Sequence, residues 1–143
     1  MDSDFFTTRG YSRQEKREIS HAMEDYLEMI YRYMQKNDYI RVNQLAAALN
    51  VQPPSASKMA AKLRDRGMIV FEPYDVIRLT QCGKELGSYL LHRHDILHRF
   101  LCMVNHTENE LELVEKIEHH FNPEMVKNIK IFLEHNDQWN FDK

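Results

Sequence analysis

From residue 23 the apolar positions fall into helical spacing: Met23, Leu27, Ile30, Tyr31 and Met34 line one side of a helix. Ser20 stands where it caps that helix, which the pattern carries to about Lys36 before Asn37-Asp38 ends it. A short helix is predicted around Gln44–Leu49, with Leu45, Ala46 and Leu49 facing inward. Gln52-Pro53-Pro54-Ser55 is a turn, and Pro54 suits the first turn of the helix that follows. That helix, with Ala56, Met59, Ala60 and Leu63 on its apolar side, runs to Arg66 and is stopped by Gly67. The period then changes: Met68–Glu72 and Val76–Leu79 read as two strands around a Pro73-Tyr74-Asp75 turn. Thr80 caps a long helix reaching about Met103. Thr107 with Glu110 forms a capping-box pattern opening a helix from Glu108 to about His120, and Asn122-Pro123 opens a last one ending near His135.

Helix, short helix, turn, helix and two-stranded wing make a winged helix-turn-helix. The expected fold is mostly α with a small β-hairpin wing. A winged helix-turn-helix is joined by a long helix to a helical dimerisation domain. The predicted boundaries are 1–80 for an N-terminal arm with the DNA-binding domain, 81–103 for the linker helix, and 104–143 for the dimerisation and metal-binding domain. Residues 1–18 are largely polar and aperiodic; Arg9, Arg13, Lys16 and Arg17 there either touch phosphate or belong to a solvated tail. Trp139 and Phe141 in the polar tail are expected to tuck onto the body.

Composition narrows the class. Of 143 residues, 43% are hydrophobic and 29% charged, as in a soluble globular chain; 4 Gly and 4 Pro agree with long, little-interrupted helices. No apolar run approaches the roughly 20 residues that span a bilayer, so no membrane partner is expected. The acidic, polar start lacks the apolar stretch of a signal peptide. Cys82 and Cys102 have no metal spacing and read as packing residues, which fits a reducing cytoplasm. The net charge of -3 hides an asymmetry. Residues 1–103 hold 15 Lys/Arg against 13 Asp/Glu, whereas residues 104–143 hold 4 against 9. A mildly basic front part is suited to meet DNA while the acidic part does something else.

On the helix after Pro54, Ser55, Ser57, Lys58 and Lys62 lie largely off the apolar side. Serine bonds bases or phosphate, and lysine reaches base acceptors or neutralises phosphate. Small residues at the helix start let it enter a major groove about 12 Å wide. Arg64, Arg66 and Arg78 add backbone contacts from the helix end and the wing. The bland reading of the same residues is a solvated face, and the winged context weighs against it for the set.

A second constellation is acidic. Asp25 and Glu28 share a face of the first helix, away from Leu27 and Ile30. Glu115, Glu118 and His119 are spaced i, i+3, i+4, and His94 lies mid-way along the long helix. Nitrogen and carboxylate donors suit first-row divalent ions, and an oxygen-rich set favours Mn²⁺ over thiophilic ions. Each residue alone is also ordinary helix surface or, for His94, a partly buried histidine with a hydrogen bond. His21, four residues before Asp25, and His98, four after His94, are candidates for supporting hydrogen bonds.

The segments MEDYLEMIY (23–31), VQPPSASKMAAKL (51–63), LTQCGKELG (79–87), HRHDILHRFL (92–101) and LVEKIEHHF (113–121) occur in this order. Over about residues 20–135 the chain resembles the metal-dependent repressors of the diphtheria-toxin-repressor family, most closely its manganese transport regulator branch. The resemblance implies metal held by Asp25 and Glu28, by His94, and by Glu115, Glu118 and His119. The iron-responsive branch has Met in the first helix and Cys in the later run, where this chain has Asp25 and Glu115. The chain also ends before the SH3-like domain that many iron-branch members carry.

Two ions per chain are expected: four carboxylates carry -4, one divalent cation leaves -2 in a half-buried cluster, and two neutralise it. Glu28 and Glu118 are the bridging candidates. Leu111, Val114 and Ile117, with Met125, Ile129, Ile131, Phe132 and Leu133, supply more apolar surface than two lone helices need, and read as a homodimer interface.

The resemblance thus implies a cytoplasmic, homodimeric, Mn²⁺-responsive transcriptional repressor. It would bind double-stranded operator DNA of metal-uptake genes, with Fe²⁺ and Zn²⁺ as further candidate activators. A metal-independent winged-helix regulator is the alternative. A hydrolase using two bridged ions is a remote third reading, because no nucleophile stands beside the cluster and the winged helix would be left unexplained.

Overall fold

The computed structural model describes residues 19–136; the arm at 1–18 and the tail with Trp139 and Phe141 lie outside the described residues. The chain divides into two compact units, the first ending at Gly87 and the second beginning at Ser88.

In the first unit, helix α1 spans His21–Met34, and the Ser20 hydroxyl accepts the Met23 amide at its start. Strand β1 is only Ile40–Arg41, and helix α2 follows at once over Val42–Leu49. Its first turn is closed by Gln44, whose side-chain oxygen accepts the Arg41 amide at 2.9 Å. Asn50 ends α2 at φ 54, in the left-handed region that asparagine tolerates better than most residues. Helix α3 spans Pro53–Asp65 with both prolines in its first turn, where their missing N–H groups cost nothing. The chain then reverses through Gly67 at φ 73.

Strands β2 (Ile69–Glu72) and β3 (Val76–Leu79) form the wing. The sheet has three strands, ordered β1-β3-β2 and antiparallel throughout, so β1 adds a strand to the predicted hairpin. Ile77 pairs with Ile40 on one side and Phe71 on the other, which makes β3 the buried centre. The wing tip, Pro73–Asp75, is a single 3₁₀ turn with Tyr74 at φ 65 and Asp75 at φ 60. Leu27, Ile30, Ile40, Leu45, Leu63 and Ile77 are fully buried and form the core of this unit. Burying a Leu or Ile side chain contributes about 1.5–3 kcal/mol, and this cluster holds the helices in register.

Helix α4, Gln81–Asn105, starts in the first unit and continues into the second. The Thr80 hydroxyl accepts the Gly83 amide at 3.1 Å, as the sequence predicts. Helix α5 is shorter than predicted, Leu111–Ile117, and Glu118–His120 continues it as a 3₁₀ turn. The Thr107–Glu110 pair does not form the expected capping box: the Thr107 hydroxyl donates to the Glu110 carboxylate at 2.7 Å, and Glu110 itself occupies the N-cap. Helix α6 spans Pro123–His135, and the Asn122 side chain accepts the Met125 amide at 2.8 Å. Ile96, Val126 and Leu133 form a core against which Phe100, Met103, Phe121 and Ile129 pack.

Candidate metal centre and nucleic-acid interface

Within the second unit, α4 and the α5 segment bring three of the expected ligands together. His94 Nδ1 lies 2.9 Å from Glu118 Oε2 and 3.8 Å from Glu115 Oε1. The His94 and Glu118 side chains are 5% and 2% exposed, whereas Glu115 is 54% exposed. A carboxylate so deeply buried requires a proton donor or a cation beside it, because an isolated charge out of water is very costly. The His94 ring supplies a donor, and a divalent ion would supply the cation. One imidazole with two carboxylates within 4 Å is a nitrogen-and-oxygen donor set, which fits Mn²⁺ and its neighbours in the first row.

His119 follows in the same 3₁₀ turn, with Nδ1 3.5 Å from an Arg93 guanidinium nitrogen. Arg93 is a neighbour that the sequence reading missed. It is 4% exposed, and its guanidinium stands 6.0 Å from the centre of the Tyr89 ring. The one available signal was its place next to His94 in HRHD. A permanent cation there places positive charge next to His119.

In the first unit, Asp25 and Glu28 both lie on α1, one turn apart. Glu28 is 7% exposed, and its carboxylate pairs with Arg32 at 3.6 Å. Tyr26, Leu27 and Ile30 anchor the same helix in the core. His21 is exposed. Of the two cysteines, Cys102 is buried as expected, but Cys82 is exposed: α4 turns it outward beside the buried Gly83.

The residues expected at DNA are mostly presented by α3. Ser55, Lys58, Lys62 and Arg64 are exposed and Ser57 is half-buried, while Ala56, Ala60 and Leu63 hold the opposite side in the core. Arg64 is drawn to Asp65 at 3.4 Å, and Arg66 is exposed at the helix end. Arg78 is more constrained than a free wing cation. It pairs with Glu72 at 3.2 Å, donates to the Asp38 carbonyl at 3.1 Å and lies 5.5 Å from the Tyr39 ring centre. Arg41 stands 5.9 Å from that ring centre, a basic neighbour the pattern did not single out.

A helix-turn-helix with a three-stranded wing, followed by a helical unit that buries a histidine–carboxylate pair, is the build of a metal-responsive DNA-binding regulator. Comparison with known proteins agrees. Residues 18–77 match the family of the iron dependent repressor, N-terminal DNA binding domain. Residues 80–139 match the iron dependent repressor, metal binding and dimerisation domain. The HTH-type transcriptional regulator MntR of Geobacillus thermodenitrificans is 42% identical over 100 residues, 69% of this chain and 71% of that protein. The chain belongs to the iron-dependent repressor family.

Among solved structures, the manganese regulator SloR superposes with a TM-score of 0.69 at 27% identity, over 78% of this chain. ScaR with bound Zn²⁺ gives 0.67 at 25% identity, also over 78%. The chain spans about half the length of these two structures, 53% of each. Among the described residues no helix is long and apolar enough to cross a membrane.

Proposed function

We propose that this chain is a Mn²⁺-responsive transcriptional repressor that acts in the cytoplasm as a homodimer on operator DNA of metal-uptake genes. The observation that carries the metal half is the buried His94–Glu118 contact with Glu115 beside it. Sulfur is absent from this group, so the donors favour Mn²⁺ or Fe²⁺ on hardness, while the usual affinity order leaves Zn²⁺ a competitor that geometry and availability must exclude. Asp25 and Glu28 of α1, with His119, complete the proposed ligand set, and charge balance calls for two ions per chain. The ligand set is read from the family resemblance together with the residue chemistry.

When bound, the ions neutralise the carboxylates. Glu28 and Glu118 would be among the carboxylates that hold the ions. His94 and His119 supply neutral nitrogen donors. DNA binding is assigned to Ser55, Ser57, Lys58 and Lys62 on α3, supported by Arg64 and by Arg78 of the wing. Among the described residues of the second unit, Leu111, Leu113, Met125, Ile131 and Phe132 are exposed apolar residues available for pairing with a second chain, while Val114 and Leu133 are buried within it. The proposed interface therefore differs from the predicted apolar stripe: Val114 and Leu133 serve the unit's own core. Isothermal titration of the metal-free protein with MnCl₂ tests the metal reading: two equivalents per chain support it, and no heat of binding contradicts it.

A further inference from the structure

His98 stands one helical turn beyond His94 on α4, half-buried, and is not among the proposed ligands. Its Nε2 accepts the Glu110 backbone amide at 3.2 Å. Glu110 is the N-cap of α5, and its own carbonyl accepts the first helical amide, that of Val114, at 3.0 Å. The buried Cys102 Sγ lies 3.5 Å from the same His98 nitrogen, on the same face of α4. An N–H donating to Nε2 fixes the tautomer: the ring is neutral, with its proton on Nδ1. At the start of α5 the Asn109 side chain accepts the Leu111 amide at 2.9 Å, a local contact, while His98 satisfies the Glu110 amide, another of the donors that a helix leaves unmatched at its start, and does so from α4.

We infer that His98 is a positioning residue for the metal centre: its Nε2 pins the start of α5 to α4 and so sets where Glu115 and Glu118 stand relative to His94. The inference rests on the metal reading above. The chain of contacts is short. His98 and His94 are four residues apart on one rigid helix, and Glu110 is five residues before Glu115 and eight before Glu118. Seven residues of α-helix with a 3₁₀ extension make only about three turns, which lack the length to hold their own position. The Thr107 hydroxyl and the Asn105 side chain hold the Glu110 carboxylate at 2.7 and 3.3 Å, but the hold on its backbone comes from His98.

The test compares His98→Leu, which removes the acceptor, with His98→Gln, whose side-chain oxygen replaces Nε2 as an acceptor at similar reach. Mn²⁺ affinity is measured by titration of each metal-free protein, with amide hydrogen exchange at Glu110 and through α5 as the local readout. His98→Leu should weaken Mn²⁺ binding about tenfold, the lower end of what losing a supporting hydrogen bond costs a metal site. It should also speed exchange at Glu110 and along α5 while leaving the α1–α3 amides protected. His98→Gln should recover most of the affinity and the protection. Equal Mn²⁺ affinity for wild type and His98→Leu would overturn the positioning role. So would a His98→Gln variant as weak as His98→Leu, since that would make the imidazole itself a ligand. If His98→Leu does not fold, His98→Gln decides alone: wild-type protection of the Glu110 amide supports the pin, and its loss with Mn²⁺ affinity unchanged overturns it. A wild-type protein that binds no Mn²⁺ would instead overturn the metal reading itself.

Discussion

Glu118 is an acid with 2% of its side chain exposed, so removing its charge has opposite consequences with and without metal. In metal-free protein, Glu118→Gln replaces a buried carboxylate with a neutral group of the same shape that still reaches His94. Its Tm should equal or exceed that of wild type, because burying the charge is unfavourable. Added Mn²⁺ should raise the Tm of wild type and leave the variant nearly unmoved, with affinity down by at least about 10–100-fold. Calorimetric scans of both proteins with and without MnCl₂ check this; an equal Mn²⁺-induced shift contradicts it. On α3, Lys62→Ala should lower DNA affinity and reduce the slope of log K against log salt by about 1, as for one lost phosphate contact. Mn²⁺ titration of that variant should match wild type. Unchanged operator affinity in both Lys58→Ala and Lys62→Ala would move the interface away from this helix. The residue types at these positions are legible in the sequence, but their burial is not. Nothing in the spacing marks Arg93, and only the packing of α4 places it 3.5 Å from His119.

At the scale of elements, caps and turns carried most of the information. Ser20, Thr80 and Asn122 each accept the amide three residues on, so those helix starts were readable from single side chains. β1 was not readable, because two residues have no period; Ile40–Arg41 becomes a strand only by pairing with Val76 and Ile77, far away in sequence. The capping box at Thr107 failed for a different reason: the His98 ring takes the Glu110 amide, and the Glu110 carboxylate turns to Thr107 instead. Close packing between elements gives a sharp prediction at Gly83. A Cβ there would overlap the Met68 carbonyl oxygen, which already accepts the Thr80 amide at 3.1 Å. Alanine is the better helix former by about 0.5–1 kcal/mol, but the clash is with backbone and cannot rotate away. Gly83→Ala should therefore destabilise the first unit by about 1–3 kcal/mol. A urea unfolding midpoint equal to or above wild type would contradict this.

For the whole molecule, neither the metal nor DNA is needed to explain the apolar surface of the second unit. Leu111, Leu113, Met125, Ile131 and Phe132 are between 37% and 48% exposed, a costly arrangement for a lone chain. The pairing should therefore survive metal removal, and sedimentation of chelator-treated protein at micromolar concentration should give about twice the chain mass of 17.2 kDa. A clean monomer would contradict it. Metal and DNA are expected to be linked, because the proposed ligands come from the DNA-binding unit and from the metal-binding unit alike. Linkage demands reciprocity: Mn²⁺ tightens operator binding, and operator DNA tightens Mn²⁺ binding by the same factor. The most direct measurement is fluorescence anisotropy of a labelled duplex from the promoter of a manganese-uptake gene, titrated with protein at fixed salt, once with saturating MnCl₂ and once with chelator. Affinity should be roughly 5–150-fold tighter with Mn²⁺, the range of a coupling of about 1–3 kcal/mol; the same affinity in both would contradict a Mn²⁺-responsive repressor.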